Sequence, residues 1–289
     1  MSNAAVKASG QPKMQVNSAN LDTLAKYYPT PTYDRKALKA GVVHMSIGGF
    51  HRSHQAVYFD DFLKTSPENW MITAVGLMPQ DDANINSLKS QDSLYSVLQR
   101  SPDRDDVRIV GSIKDVIHAP ANPAAVIAAI ASPNTKIVSL TITEKGYCYN
   151  EKRDLDETNA LIKGDAALPD APKTAYGYLI KGLKARRDTN AGPVTVMSCD
   201  NLPGNGELTH HLVIQFTKLA DPSMVDWINQ NVSFPNAMVD RITPVTTDAI
   251  RETLADSYGI EDKWPVVCEG YLQWVLEDNF IAGRPALEK

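Results

Sequence analysis

Four short segments carry the residue types that a nucleotide-dependent redox reaction requires, and each follows an apolar run. The first is Ile47-Gly48-Gly49-Phe50-His51-Arg52. Paired glycines between a strand and a helix let backbone N–H groups and a helix start approach a pyrophosphate. The G-x-G-x-x-G pattern is incomplete, because Ser46 and His51 stand at its first and last glycine positions. A plain strand-to-helix turn explains Gly48 and Gly49 equally well, so these residues alone leave both readings open. A ribose-binding carboxylate is expected just past the second strand. Asp81 is the first candidate and Asp82 the second, with a helix N-cap as the ordinary alternative for either. No Arg or Lys lies between Gly76 and Lys89 to neutralise a 2′-phosphate, which favours NAD over NADP.

The other three segments supply groups for the reacting end. Glu144 closes the run Lys136 to Thr143, at the edge where such sheets bind ligands, although a strand-end carboxylate in water is the plainer reading. Asn201, in Cys199-Asp200-Asn201-Leu202-Pro203-Gly204-Asn205-Gly206, offers an amide N–H to a carbonyl or developing alkoxide oxygen. Asn205 reads as a helix cap. Val239 and Asp240 belong to the stretch Phe234 to Pro244, where Asp240 beside Arg241 could equally form a structural ion pair. His51 and His54 have no third ligand at metal spacing, so no metal is expected.

The elements that must position these groups alternate in type. Strands are predicted at Val42 to Ile47, Trp70 to Gly76, Lys136 to Thr143 and Val194 to Ser198. Helices are predicted at Gln55 to Lys64, Asn122 to Ala131, Thr174 to Arg187 and Glu207 to Leu219. Alternation of this kind implies right-handed crossovers and a mostly parallel sheet with helices on both faces, an α/β doubly wound fold. Leu94 to Gln99 and Val107 to Val110 read as a hairpin inserted into that sheet. Residues 1–40 are polar and read as an extension across the core, residues 41–265 as the dinucleotide-binding domain, and residues 266–289 as a lead-in to a further domain.

Composition narrows the partners. Of 289 residues, 43% are hydrophobic and 22% charged, which is ordinary for a globular chain. A net charge of −5 without a basic run gives no reason to expect nucleic acid or an anionic membrane. No stretch approaches the roughly twenty apolar residues of a membrane span. Three well-separated cysteines and no secretory h-region suit a reducing, cytoplasmic setting.

The four segments, with His44 to His54, Thr141 to Tyr147 and the stretch from Val266 to Glu288, keep the order of the polyol-specific long-chain dehydrogenases, the mannitol 2-dehydrogenase family, which this chain resembles from about Val42 onward. The resemblance implies a Rossmann domain in which Phe50, His51 and Arg52 flank the cofactor, with Arg52 nearest the phosphates. It further implies that Glu144 lies by the nicotinamide, that Val239 and Asp240 contact the cofactor and active site, and that Asn201 is one of two oxyanion-stabilising asparagines. The family's proton-transferring lysine sits in a Lys-x4-Asn-x2-His helix that residues 1–289 lack; Lys145 and Asn150 share the spacing, but Arg153 stands where the histidine belongs. The expectation is therefore a truncated dehydrogenase whose frame continues past Lys289, inactive alone and prone to self-association through the surface meant for its missing half. The implied substrate is a polyol/ketose pair, mannitol/fructose first, with arabinitol or a uronate (fructuronate/mannonate, tagaturonate) as alternatives. The rival reading is a stand-alone nucleotide-binding module or pseudoenzyme.

Overall fold

The computed structural model describes residues 13–288. Its strands are β1 (Met14–Gln15), β2 (Ala40–Met45), β3 (Met71–Gly76), β4 (Tyr95–Arg100), β5 (Asp105–Val110), β6 (Ile113–His118) and β7 (Ile137–Leu140). There follow β8 (Val194–Ser198), β9 (Val232–Ser233), β10 (Ala237–Asp240), β11 (Ile260–Glu261), β12 (Val266–Glu269) and β13 (Gln273–Leu276).

Six of these form one parallel sheet in the order β6-β3-β2-β7-β8-β9. Relabelled by position, that order is the 3-2-1-4-5-6 of dinucleotide-binding folds, and it reverses direction between β2 and β7. The central strands β2, β3, β7 and β8 are almost wholly buried and largely apolar because both faces are covered. Val43, Met45, Val138 and Leu140 bury one way, with Leu179, Leu183, Leu212 and Phe216 from the helices Ala175–Asp188 and Asn205–Ala220. Val42, Ile72, Ala74 and Ile137 bury the other way, with Ala56, Val57, Phe59, Ile85 and Leu88 from Gln55–Thr65 and Asp82–Lys89. A fully buried Val, Leu or Ile contributes about 1.5–3 kcal/mol, so the two cores carry the fold.

Several expectations change. The hairpin β4–β5 is real but is not inserted into the main sheet; it forms a separate three-stranded sheet in which β12 runs parallel to β4. The reason is a third core. Leu94, Leu98, Val107 and Ile109 bury against Met14, Val16, Leu24, Tyr28, Tyr258 and Ile260, so the hairpin needs partners on a face the main sheet could not supply. The extension likewise gains a strand, β1, parallel to β11; its first twelve residues lie outside the described ones. Residues 266–276 are integral rather than a lead-in, since β12 completes the second sheet and β13 pairs antiparallel with β10.

Asp60 ties these parts together. Fully buried in the helix after β2, its carboxylate accepts from Tyr33 Oη at 2.7 Å, Gly111 N at 3.0 Å and Arg108 at 2.7 Å, and pairs with Lys64 at 2.7 Å. Burial alone would raise its pKa, but Arg108, Lys64 and the Gly111 N–H hold it below the ordinary value. A depressed carboxylate contributes stability above its unfolded pKa and loses it as pH falls through the folded one. Asp60→Ala leaves Tyr33 Oη and the Gly111 N–H without their buried acceptor, while Arg108 and Lys64 keep Asp61, and should cost about 1–3 kcal/mol. The check is the urea midpoint at neutral pH and again in acid: the gap between wild type and variant should shrink as pH falls, and equal midpoints at neutral pH would remove Asp60 from this role.

Candidate active site

The chain leaves β2 through a strained turn. Ser46 and Ile47 both donate to Val75 O, at 2.9 and 3.0 Å, and Ser46 holds φ +80°, a left-handed conformation that favours glycine. Ser46 is thus the residue in the conformation that the missing first glycine of the motif would adopt. Gly48 and Gly49 need no such freedom: Gly48 has φ −105°. A methyl at Gly48 would meet no protein atom within 4 Å, and at Gly49 only Thr243 Cγ2 at 3.5 Å. The space above both glycines is open, as a close-approaching ligand backbone would require.

The residues after the glycines turn inward. Gly49–Ser53 is a short helix, broken at His54 before Gln55–Thr65. Phe50 is half-buried and stacks on His54 at 5.0 Å. His51 is buried and stacks on His44 with ring centroids 3.4 Å apart. Burial, then the neighbouring His44, push the His51 pKa well below its ordinary value. Its Nδ1 meets Gln55 Oε1 at 3.3 Å while Nε2 has no protein partner. Arg52 is only 1% exposed. Its guanidinium lies 3.7 Å from the Trp264 ring centroid and donates to Trp264 O at 2.5 Å, and Tyr95 Oη donates to Arg52 O. The resemblance placed Arg52 nearest the phosphates; here its cation is engaged between the two sheets, and burial lowers its pKa to about 10.

At the end of β3 the two aspartates separate. Asp81 Oδ2 accepts from Met78 N at 2.9 Å, Oδ1 has no hydrogen-bond partner among the described residues, and a Cβ at Gly76 would meet Asp81 Oδ2 at 3.2 Å. Asp82 Oδ2 accepts from Asn86 Nδ2 at 3.1 Å, and its Oδ1 lies 3.4 Å from His118 Nδ1 of β6. Asp81 is the one whose place and free oxygen suit a ribose.

β7 stops at Leu140, short of the predicted Thr143, because Thr143 takes φ +62° and opens the helical turn Thr143–Gly146. Asp200, unremarked in the sequence, holds this turn: Oδ2 accepts from Ile142 N at 2.9 Å and Tyr147 Oη at 2.8 Å, and Oδ1 from Thr143 N at 3.0 Å. Burial raises the Asp200 pKa against those three bonds, which lower it. The clasp fixes exposed Glu144, which accepts from Tyr149 Oη at 2.7 Å, relative to Asn201. Asn201 is exposed and lines a cavity of about 530 Å³ with Pro203, Asn205, Met238 and Val275. Asn205 is buried scaffolding, bonded to Asp200 O, Ala237 O and Ala237 N.

The fourth segment closes the group. Gly206 lets the helix start approach the Phe234–Pro235 backbone, where a Cβ would sit 2.5 Å from the Pro235 carbonyl. Beyond it Val239 is buried in the cluster that holds Ile47 and Cys199, while Asp240 faces out. Arg241 does not pair with Asp240; it donates to Ser53 O, Gln99 Oε1 and Glu269 O. Ile47, Gly48, Gly49, Phe50, Glu144 and Asn201 thus follow the ends of β2, β7 and β8 at one sheet edge, Val239 of β10 joins them through the shared apolar cluster with Asp240 beside it, Asp81 follows the end of β3, and His51 and Arg52 turn inward. Among the described residues no cluster of metal-binding side chains occurs, and no helix is long and apolar enough to cross a membrane.

Residues 40–289 match the family model described as the mannitol dehydrogenase Rossmann domain. A mannitol 2-dehydrogenase of Neosartorya fischeri is 46% identical over 285 residues, covering 96% of this chain and 57% of that protein. Among solved structures, Pseudomonas fluorescens mannitol 2-dehydrogenase in a ternary complex with NAD and D-mannitol superposes with a TM-score of 0.91 at 44% identity, covering 95% of this chain and 56% of that one. A D-sorbitol dehydrogenase in substrate-free form gives 0.90 at 39% identity, with 95% and 57% covered. The chain thus spans little more than half the length of the relatives it matches.

The strain at Ser46 is measurable. A left-handed non-glycine costs roughly 1–2 kcal/mol, against about 0.5–1 kcal/mol of backbone freedom that glycine loses on folding. Ser46→Gly should therefore unfold at the same denaturant concentration or higher, by up to about 1 kcal/mol. Ser46→Val, β-branched at φ +80°, should lose more than about 1 kcal/mol. A glycine variant markedly weaker than wild type would show that the side chain, not the backbone, matters there.

Proposed function

We propose, from the premise that the chain belongs to the mannitol dehydrogenase family through its Rossmann domain, that residues 40–289 bind NAD(H) and form the cofactor-binding part of an oxidoreductase for a polyol and its ketose. The observation that carries this reading is the open space over Gly48 and Gly49, at the point where the strand order reverses. When bound, NAD(H) supplies the hydride acceptor or donor. The turn's backbone N–H groups would face the pyrophosphate, and Asp81 Oδ1 would accept from the ribose hydroxyls. A carboxylate in that position repels a 2′-phosphate, which favours NAD over NADP.

At the reacting end Asn201 would donate its amide N–H to the substrate oxygen that alternates between hydroxyl and carbonyl, stabilising the alkoxide character that develops on it. Val239 and Asp240 would border the nicotinamide side together with Glu144. Moving the hydroxyl proton requires an acid–base group, typically worth 10²–10⁴-fold, and residues 1–289 contain no Lys-x4-Asn-x2-His to supply it. Mannitol/fructose is the first substrate pair, because D-mannitol occupies the P. fluorescens complex. The similar D-sorbitol dehydrogenase keeps a second hexitol in view, and arabinitol and the uronates stay alternatives from the family resemblance. The three free cysteines fit a reducing cytoplasm.

Met238 and Val275, cross-strand partners of β10 and β13, are both exposed, as are Ile242, Val245 and Tyr271 nearby. An apolar face of this kind beside the cavity is a contact surface, and the 289-residue chain should self-associate through it. Light scattering across a concentration series checks this: a monomer at the highest concentration rejects it, and Met238→Ser with Val275→Thr should reduce the association.

NADH titration followed by nicotinamide fluorescence tests the cofactor reading. NADH should bind more tightly than NADPH, and Asp81→Ala should raise the Kd for NADH several-fold while narrowing the difference between the two. No binding by either nucleotide would reject the reading, and an unchanged Kd in the variant would remove Asp81 from the ribose.

A further inference from the structure

His44 is a fully buried imidazole one residue before the end of β2, where an apolar residue would serve the strand as well. Burying it is unfavourable unless its nitrogens are bonded, and both are. Nδ1 lies 2.8 Å from Ser139 Oγ on β7, and Nε2 lies 2.9 Å from Thr141 Oγ1 just beyond it. Thr141 Oγ1 also donates to Ser46 O at 3.0 Å. A hydroxyl has one proton, so Thr141 must accept from His44. Nε2 therefore carries the hydrogen, and Nδ1 accepts from Ser139. Burial lowers the His44 pKa to about 3, so the ring is neutral and this arrangement is the one present at physiological pH.

The face of the same ring carries His51, at 3.4 Å and 9° from parallel. Two cationic rings could not sit so, and burial depresses both. One side chain thus joins three things: the end of β7, the left-handed Ser46, and the helix Gly49–Ser53 that continues from the glycine turn.

We propose that His44 is a positioning residue for dinucleotide binding: through Thr141 it locks Ser46, through its ring face it seats His51, and so the Gly48–Gly49 turn stands formed before the cofactor arrives. The proposal rests on the turn being the NAD(H) seat. A preformed turn loses no conformational freedom on binding, so loosening it appears as weaker affinity.

The experiment measures the Kd for NADH alongside thermal stability in four variants. Thr141→Val removes the hydroxyl between His44 and Ser46 with little change of shape, and should raise the Kd at least tenfold; Thr141→Ser, which keeps the hydroxyl, should restore it. His44→Phe retains a ring for His51 but deletes both bonds, and should act like Thr141→Val. Ile228→Val trims a buried core residue remote from the turn and should lower stability without changing the Kd. Wild-type affinity in Thr141→Val overturns the proposal, as does an Ile228→Val variant weakened to the same degree, since the effect would then be general destabilisation. If His44→Phe does not fold, the Thr141 pair decides, because that residue lies at a strand end. If the unaltered chain binds no NADH, the cofactor reading itself falls, a result distinct from normal binding by the variants.

Discussion

Three neighbouring parallel strands must finish level for the candidate site to exist. Met45 of β2 pairs with Leu140 of β7, and Leu140 with Ser198 of β8. Parallel strands cannot be joined by tight hairpins, so each must leave the sheet at the same edge and return by a long crossover. Three exit turns therefore stand side by side: Ser46 to Gly49, Thr141 to Gly146, and Cys199 to Gly206. The strand order reverses between β2 and β7, the point at which crossovers diverge in open sheets of this kind, and the space over Gly48 and Gly49 there is open.

Level strands are not sufficient, since exit turns are the most mobile part of such a sheet. Here they are fastened to one another by side chains. His44 and Thr141 tie the first turn to the second, and Asp200 ties the second to the third. The two non-glycine residues in left-handed conformation at this edge, Ser46 and Thr143, are each held by one of these fastenings. Strain of this kind persists only where surrounding bonds over-determine the backbone, and the bonds that do so are the ones that align the candidate groups. Fold and site share the same few interactions.

Four of the sheet's six strands were legible from the sequence because they are buried on both faces and read as apolar runs between glycines and helical patterns; β6, with Lys114 and Asp115 in its middle, and the two-residue β9 were not. The second sheet was not, because the partner that makes β4–β5 a separate layer, β12, is distant in the chain and no local pattern announces it. Among site residues, the segments were legible and the side-chain directions were not. Asp81 and Asp82 are adjacent acids, and only the fold shows that Asp82 accepts from Asn86 while Asp81 lies against Gly76 at the end of β3. His44 was hidden inside an apolar run, and Asp200 stood beside the more suggestive Asn201. Thr143 gave no signal at all, since a positive φ is anticipated only from glycine or asparagine.

Arg52 shows the physical consequence of direction most clearly. A helix that starts at Gly49 and packs between two sheets turns consecutive residues His51, Arg52 and Ser53 into the interior. Once Arg52 lies on the Trp264 ring and donates to a carbonyl, moving its guanidinium to a phosphate would abandon a cation–π contact and a charge-assisted hydrogen bond together. A flexible surface arginine would face no such cost. On the proposed cofactor reading, affinity for a pyrophosphate would then come from backbone N–H groups of the turn, whose strength depends on geometry more than on charge. On that reading a buried, neutral His44 beneath the turn would bear on binding through geometry, without a charge of its own.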